Sequence, residues 1–510
     1  MGRVKLDLGS SGSAGLQPVP ARLSSFKKNP DADPQLMTLM FNFGRHLLAS
    51  SSRDTGPLSL PANLQGIWNQ DYNPAWQSKY TININLEMNY WPALVTNLAE
   101  THKPVFDLIN VAIPRGQAVA KTMYGCERGF VLHHNTDLWG DAAPVDKGTP
   151  YTIWPMGAAW LSADAMEHYR FTQNKTFLAQ VAWPILRETA QFYHCHLFKW
   201  NNYWTAGPSL SPEHAFKVPP DANQPGASEG LDISIEMDNQ LLHQLFTNIA
   251  ETCALLNLTT TTTESTTCTT SATYLPFIRP PAINPTTSRI QEWRSPSYAD
   301  TEPGHRHFSP LWGLYPGRQL TTSPNTTAAA AALLDHRMAS GSGSTGWSRA
   351  WAVNLYARLP GRGDDAWRHA QQLVATFLLG NLWNSDSGGT SSFQVDGNFG
   401  LVAGVAEMLV QSHETAGEDG GVVVHLLPAL PTGKVRDGRV EGLVARGGFV
   451  VSELVWEAGR FARASVVARS GGVLRVRVQG GSGFVVDGIK YEGGQGINTT
   501  VGGVYRITAI

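Results

Sequence analysis

Cysteine is scarce in this chain of 510 residues: four in all, with no C-x-x-C pair, which excludes a cysteine-built zinc site and a dithiol redox centre. Charge is scarce as well. Only 16% of residues are charged and the net charge is -2, so there is no basic field for nucleic acid and no acidic tail. No run of 18 apolar residues occurs, which leaves no candidate for a membrane-spanning helix. The opening "MGRVKLDLGSSGSAGLQ" lacks the apolar centre of a secretory signal. Cys253 and Cys268 bracket a Thr-rich stretch that a disulfide would close in an oxidising compartment. With Cys126 and Cys195 they read equally well as buried thiols.

Tryptophan, by contrast, is abundant, with 16 residues, and many stand beside Asn, Asp, Gly or Pro, as in "QGIWNQDYNPAWQ", "NTDLWGDA" and "NLWNSD". Indole faces stack on the C–H faces of sugars while amides and carboxylates bond hydroxyls, so the pairing suits a carbohydrate cleft. For any single Trp, a place in the core is the ordinary reading.

The length provides for two or three domains. Residues 1–33 are rich in Gly, Ser and Pro and read as a linker. From 34 to 419 apolar residues recur at three and four spacing, first in "PQLMTLMFNFGRHLLASSS", then near 103–124, 155–170, 176–197, 234–256, 345–359, 364–380 and 398–413. This predicts a mainly α domain of paired helices with long functional loops. A Thr-rich stretch at about 257–289 reads as a surface insertion without a core of its own. From 420 to 510, period-two runs such as "GGFVVSELVWE" and "GVLRVRVQG" between Gly-rich turns predict an all-β domain.

Four clusters carry useful chemistry. In "TININLEMNYWP", read at the strand period, Thr81, Asn83 and Asn85 point one way and the aliphatics the other. "GPSLSPEHAF" places Glu213 after a proline in a loop. "EPGHRHFSPLWGLYPG" holds His305, Arg306 and His307, and "SSFQVDGNFG" puts Asp396 before a helical run. Each has an ordinary use: Glu213 as a solvated or capping carboxylate, Asp396 as an N-cap, the histidines as satisfied core groups, the amides as backbone braces.

Together, "LPANLQGIWN", "YTININLEMNYWPA", "HHNTDLWGDAAP", "SLSPEHAF", "GHRHFSPLWGLYPG" and "FQVDGNFGLVAGVAEMLVQSH" resemble, in order, successive blocks of glycoside hydrolase family 95, the inverting α-L-fucosidases with some α-L-galactosidases. The resemblance implies an (α/α)6 barrel followed by a C-terminal β-sandwich-like domain. The family's N-terminal β-sandwich has no counterpart in the sequence, which implies a truncated gene product or a degenerate copy of a protein that is extracellular in its full-length form.

An inverting glycosidase needs a proton donor for the leaving oxygen and a base for a water on the opposite ring face. By the resemblance Glu213 is the acid. Asn83 and Asn85 hold the water, their amides polarised by Asp396, so that no metal or cofactor is called for. The resemblance further implies Trp139 as the platform for the fucose methyl and ring face, and His305 and His307 as hydroxyl contacts. Thr81 stands where some family members carry His, and its smaller side chain leaves room for the hydroxymethyl of L-galactose. Thr390, Ser391 and Ser392 depart from the family pattern before Asp396. The expected partner is an oligosaccharide or plant xyloglucan releasing terminal L-fucose. The rivals are an α-L-galactosidase, a silent sugar-binding remnant, and an inverting phosphorylase, the last disfavoured because no Lys/Arg or Gly-rich phosphate nest stands near Asn83 or Asp396.

Overall fold

The computed structural model describes all residues except 57–58, 221–223, 259–261, 389–391, 418–419 and 482, so Thr390 and Ser391 lie outside the described residues. The three-and-four spacing of "PQLMTLMFNFGRHLL" forms the helix Pro34–Ser51. Asp33 caps it by accepting the Leu36 N–H at 3.1 Å, and Pro34 fills the first position, where a missing N–H costs nothing. Five largely buried helices, Asn85–Val95, Gly157–Thr172, Glu236–Leu256, Gly346–Arg358 and Asp396–Leu409, follow one another around an inner ring. The short turn Ser309–Leu311 takes the sixth place. It packs on Glu236–Leu256, while its neighbour Phe308 meets Trp351 edge-on with ring centroids 5.9 Å apart. The helices Pro34–Ser51, Lys103–Tyr124, Trp183–His196, Pro324–Ala339 and Gly363–Phe377 back the ring from outside. This is the expected (α/α)6 barrel. Trp160, Trp312 and Trp351 are fully buried in its core, so for these three the ordinary reading of tryptophan holds.

Two features of the helical domain depart from the sequence reading. "TININLEMNYWP" is not a strand: only Tyr80–Thr81 is extended, paired with Asn135–Thr136, and the helix Asn85–Val95 begins two residues beyond Asn83. Within the Thr-rich stretch, Thr262–Tyr274 is a helix rather than a coreless insertion. It is fastened by Cys253–Cys268, by a 2.7 Å bond from the Trp183 indole to Glu264, and by Tyr274 stacked on Trp204. A second disulfide joins Cys126 to Cys195, so all four cysteines are paired.

Beyond the barrel, alternating residues form two sheets, one of eight strands and one of five, in which Gly421–Leu426 runs parallel to Gly472–Val478. Residues 1–33, read as a linker, belong to this packing. Lys5–Asp7 is the edge strand of the larger sheet, antiparallel to Gly438–Glu441, because Val4, Leu6 and Leu8 alternate and are buried. Helix Val19–Phe26 buries Leu23 and Phe26 and sends the Arg22 guanidinium to both oxygens of Asp33 at 2.8 Å.

Candidate active site

Three of the inner helices begin at the wall of a cavity of about 520 Å³, and each contributes a side chain from its first turn or its cap: Asn85, Trp347 with Thr345, and, behind Asn85, Asp396. Gly397 after Asp396 leaves room for Asn384, since a Cβ there would stand 2.1 Å from its Oδ1. The Asp396 carboxylate is fully buried. Its Oδ1 accepts the Gly397 N–H at 2.7 Å and its Oδ2 accepts the Asn85 amide at 2.6 Å. Burial pushes its pKa up to about 7, against the opposing pull of those two bonds.

Asn83 donates its amide to Oε1 of Glu213 at 3.0 Å, and its own Oδ1 is buried with no hydrogen-bond partner among the described residues. Two carboxamides two residues apart are thus each bonded through nitrogen to a carboxylate from a distant segment. A carboxylate accepting an amide N–H draws density onto the amide oxygen, which makes that oxygen a better acceptor for a water proton.

Glu213 lies on the cavity wall with Arg306 and His307. Its Oε2 pairs with the Arg306 guanidinium and lies 3.7 Å from Nε2 of His307. Burial raises its pKa, but the His307 and Arg306 contacts and the Asn83 bond outweigh burial and hold it well below the usual carboxylate range. Burial also keeps His307 below the ordinary histidine pKa, so at neutral pH Arg306 is the cation that keeps Glu213 ionised. Asp386 lines the same wall. Burial lifts its carboxyl while the charge of Arg306 opposes the lift.

Of the residues singled out in the sequence, Asn83, Asn85, Glu213, Asp396, His307 and Thr81 come together here; Thr81 lines the cavity and donates its hydroxyl to Asn135 at 2.7 Å. Trp139 and His305 do not form its wall. Trp139 sits on an exposed turn held by Asp137, and His305 is sandwiched between the His214 and His307 rings, its Nδ1 accepting the His307 N–H. The wall's indoles are instead Trp76, half-exposed at the rim, and Trp347. Trp76, Gln77 and Ser78 all have φ between 49° and 58°, a left-handed run costing roughly 1–3 kcal/mol per residue. Ser78 steadies it through its hydroxyl, which bonds Gln65 at 3.1 Å. The signal for Trp76 was present in "QDYNPAWQ", where Asn and Pro flank the indole.

The family patterns described as glycosyl hydrolase family 95 catalytic domain and glycoside hydrolase family 95 C-terminal domain match residues 1–409 and 411–504. Alpha-L-fucosidase 2 of Arabidopsis thaliana is 37% identical over 448 residues, 86% of this chain and 50% of that protein. Probable alpha-fucosidase A of Aspergillus niger is 30% identical over 489 residues, 92% of this chain and 58% of that one. The chain therefore spans about half the length of the curated relatives it matches. Among solved structures, a putative kojibiose phosphorylase from human microbiome superposes with a TM-score of 0.57 at 8% identity, covering 91% of this chain and 66% of that one, a likeness of fold alone.

Proposed function

Because the chain belongs to glycoside hydrolase family 95, we propose that it is an exo-acting, inverting α-L-fucosidase that releases terminal α-linked L-fucose from oligosaccharides or plant xyloglucan. The observation that carries this reading is the pair of amide–carboxylate bonds at one cavity, Asn85 with Asp396 and Asn83 with Glu213. In this reading Glu213 gives its proton to the leaving oxygen. The amide oxygens of Asn83 and Asn85 hold the attacking water; as its oxygen bonds the anomeric carbon and the glycosidic bond breaks, its proton passes to the Asn85 amide oxygen while the Asn85 N–H proton passes to Asp396. Donation requires a protonated Glu213, so Arg306 must leave it when the leaving sugar enters; Asp386 on the same wall, whose carboxyl already feels the Arg306 charge, is the anion it would turn to. With that cation displaced, burial, which favours the neutral form of Glu213, is opposed only by His307 and the Asn83 bond.

Fucose release from 2'-fucosyllactose tests the assignment. The expected first product is the β-anomer by NMR, with Glu213→Ala and Asp396→Asn each slower by about a hundredfold or more. Initial release of the α-anomer, or an unchanged rate in Glu213→Ala, would sink it. For the leaving sugar we assign the rim indole: Trp76→Ala should raise KM for 2'-fucosyllactose about fivefold. Hydrolysis of α-L-fucosyl fluoride, which has no second sugar, should be unchanged by that substitution.

Thr81 on the cavity wall favours a second reading, cleavage of α-L-galactosides, since a small side chain leaves space for the extra hydroxyl. Paired nitrophenyl fucoside and L-galactoside assays separate the two. The disulfides Cys126–Cys195 and Cys253–Cys268 favour an oxidising, extracellular setting.

A further inference from the structure

Behind the cavity lies a buried charge cluster that the chemistry above does not use. Glu292, His214 and Asp300 bring ligand-type atoms within 4.8 Å of one another, a set able to hold a cation. Arg337 takes that place instead. Its fully buried guanidinium pairs with Oε2 of Glu292 and lies 3.1 Å from Nδ1 of His214. His214 sits between two carboxylates, its Nε2 2.7 Å from Asp300 and its Nδ1 3.2 Å from Oε1 of Glu292. Burial alone would lower its pKa, but these neighbours raise it. The Arg337 guanidinium and the two carboxylates thus close around the His214 ring.

What the cluster grips is the turn Ser211–His214, which contains Glu213. Oε1 of Glu292 accepts the Ser211 hydroxyl at 2.7 Å and faces the His214 ring, so one carboxylate oxygen holds both ends of a four-residue turn. The His214 N–H closes that turn on the Ser211 carbonyl at 2.7 Å. The Ser309 hydroxyl donates to the carbonyl of Pro212, within the turn.

We propose that Glu292 is a positioning residue for proton donation, clamping Ser211 and His214 so that Glu213 is presented to the leaving oxygen. The inference rests on the reading of Glu213 as the acid.

The discriminating measurement compares two fucosides in the full chain. 2'-Fucosyllactose needs protonation of its leaving sugar, whereas α-L-fucosyl fluoride leaves unaided. Glu292→Gln should cost about a hundredfold in kcat on 2'-fucosyllactose, the scale of a displaced catalytic group. It should cost little on the fluoride. Ser211→Ala, which removes one arm of the clamp and leaves the charges intact, should show a smaller loss of the same selectivity. Equal loss on both substrates, or no loss, overturns the proposal. If Glu292→Gln does not fold, Ser211→Ala decides alone by the same criterion. If the wild-type chain cleaves neither fucoside, the fucosidase reading has failed and hydrogen exchange decides the clamp separately: faster exchange across 209–216 in Ser211→Ala upholds it, unchanged exchange overturns it.

Discussion

Asp396 combines complete burial with a charge that the proposed chemistry requires, and the conflict shows in its stability. Its carboxyl titrates near 7 in the folded chain against an ordinary 3.8, so between those values the native state holds a proton that the unfolded chain has lost. Its contribution is therefore fully present below about pH 4 and is lost as pH rises through 7. The three-unit difference amounts to about 4 kcal/mol. Asp396→Asn should melt well above the wild type at pH 8 and close to it at pH 4, while losing activity; equal melting at both values would contradict the burial argument. At this scale the sequence was legible in parity more than in conformation. Thr81, Asn83 and Asn85 do share a side, although a two-residue strand, a turn and a helix start replace the strand that their alternation suggested. The partners of the amides lie 130 and 311 residues away, beyond the reach of any period; the resemblance pointed to Asp396 for both, and the bond of Asn83 to Glu213 is seen only in the structure. Trp139, expected as the stacking platform, does not line the cavity, because proximity of Trp to Asn and Asp in sequence does not say which turn faces it.

Among the elements, legibility followed amphipathic contrast. Lys103–Tyr124 buries one stripe and coincides with its expected span. Asn85–Val95 is buried on nearly every side, so its apolar residues show no stripe to find. Pro324–Ala339 carries a run of alanines after its first turn and shows equally little contrast. Thr262–Tyr274 is the reverse case, a Thr-rich segment of poor helix propensity held helical by its fastenings. Cys253–Cys268 closes a loop with a sequence separation of 15, worth about 3 kcal/mol by chain entropy. The double variant Cys253→Ser/Cys268→Ser should lose roughly that amount in urea unfolding. Proteolysis should then begin inside the Thr-rich segment; first cleavage elsewhere would mean that the disulfide is not what fastens this helix.

For the whole molecule, the β-rich second domain was plain from its alternation, whereas three residues of edge strand at the start of the chain carried no such signal. That strand passes close beside Gly442, whose φ is 82° and where a Cβ would stand 1.8 Å from the Arg3 carbonyl. Gly442→Ala should therefore peel Lys5–Asp7 from the sheet, lowering the melting temperature and speeding cleavage near residues 9–17. Unaltered protease sensitivity there would show that the strand adjusts. The pairing of Lys5 with Glu441 also sets a clock. More than four hundred residues separate the partners, so at about 5–20 residues per second the ribosome delivers the second roughly 20–90 s after the first. Throughout that interval Val4, Leu6 and Leu8 have no sheet to join. The strand is made long before the partner that fixes it, and for that interval the nascent chain carries an unpaired apolar segment, a natural handle for a chaperone.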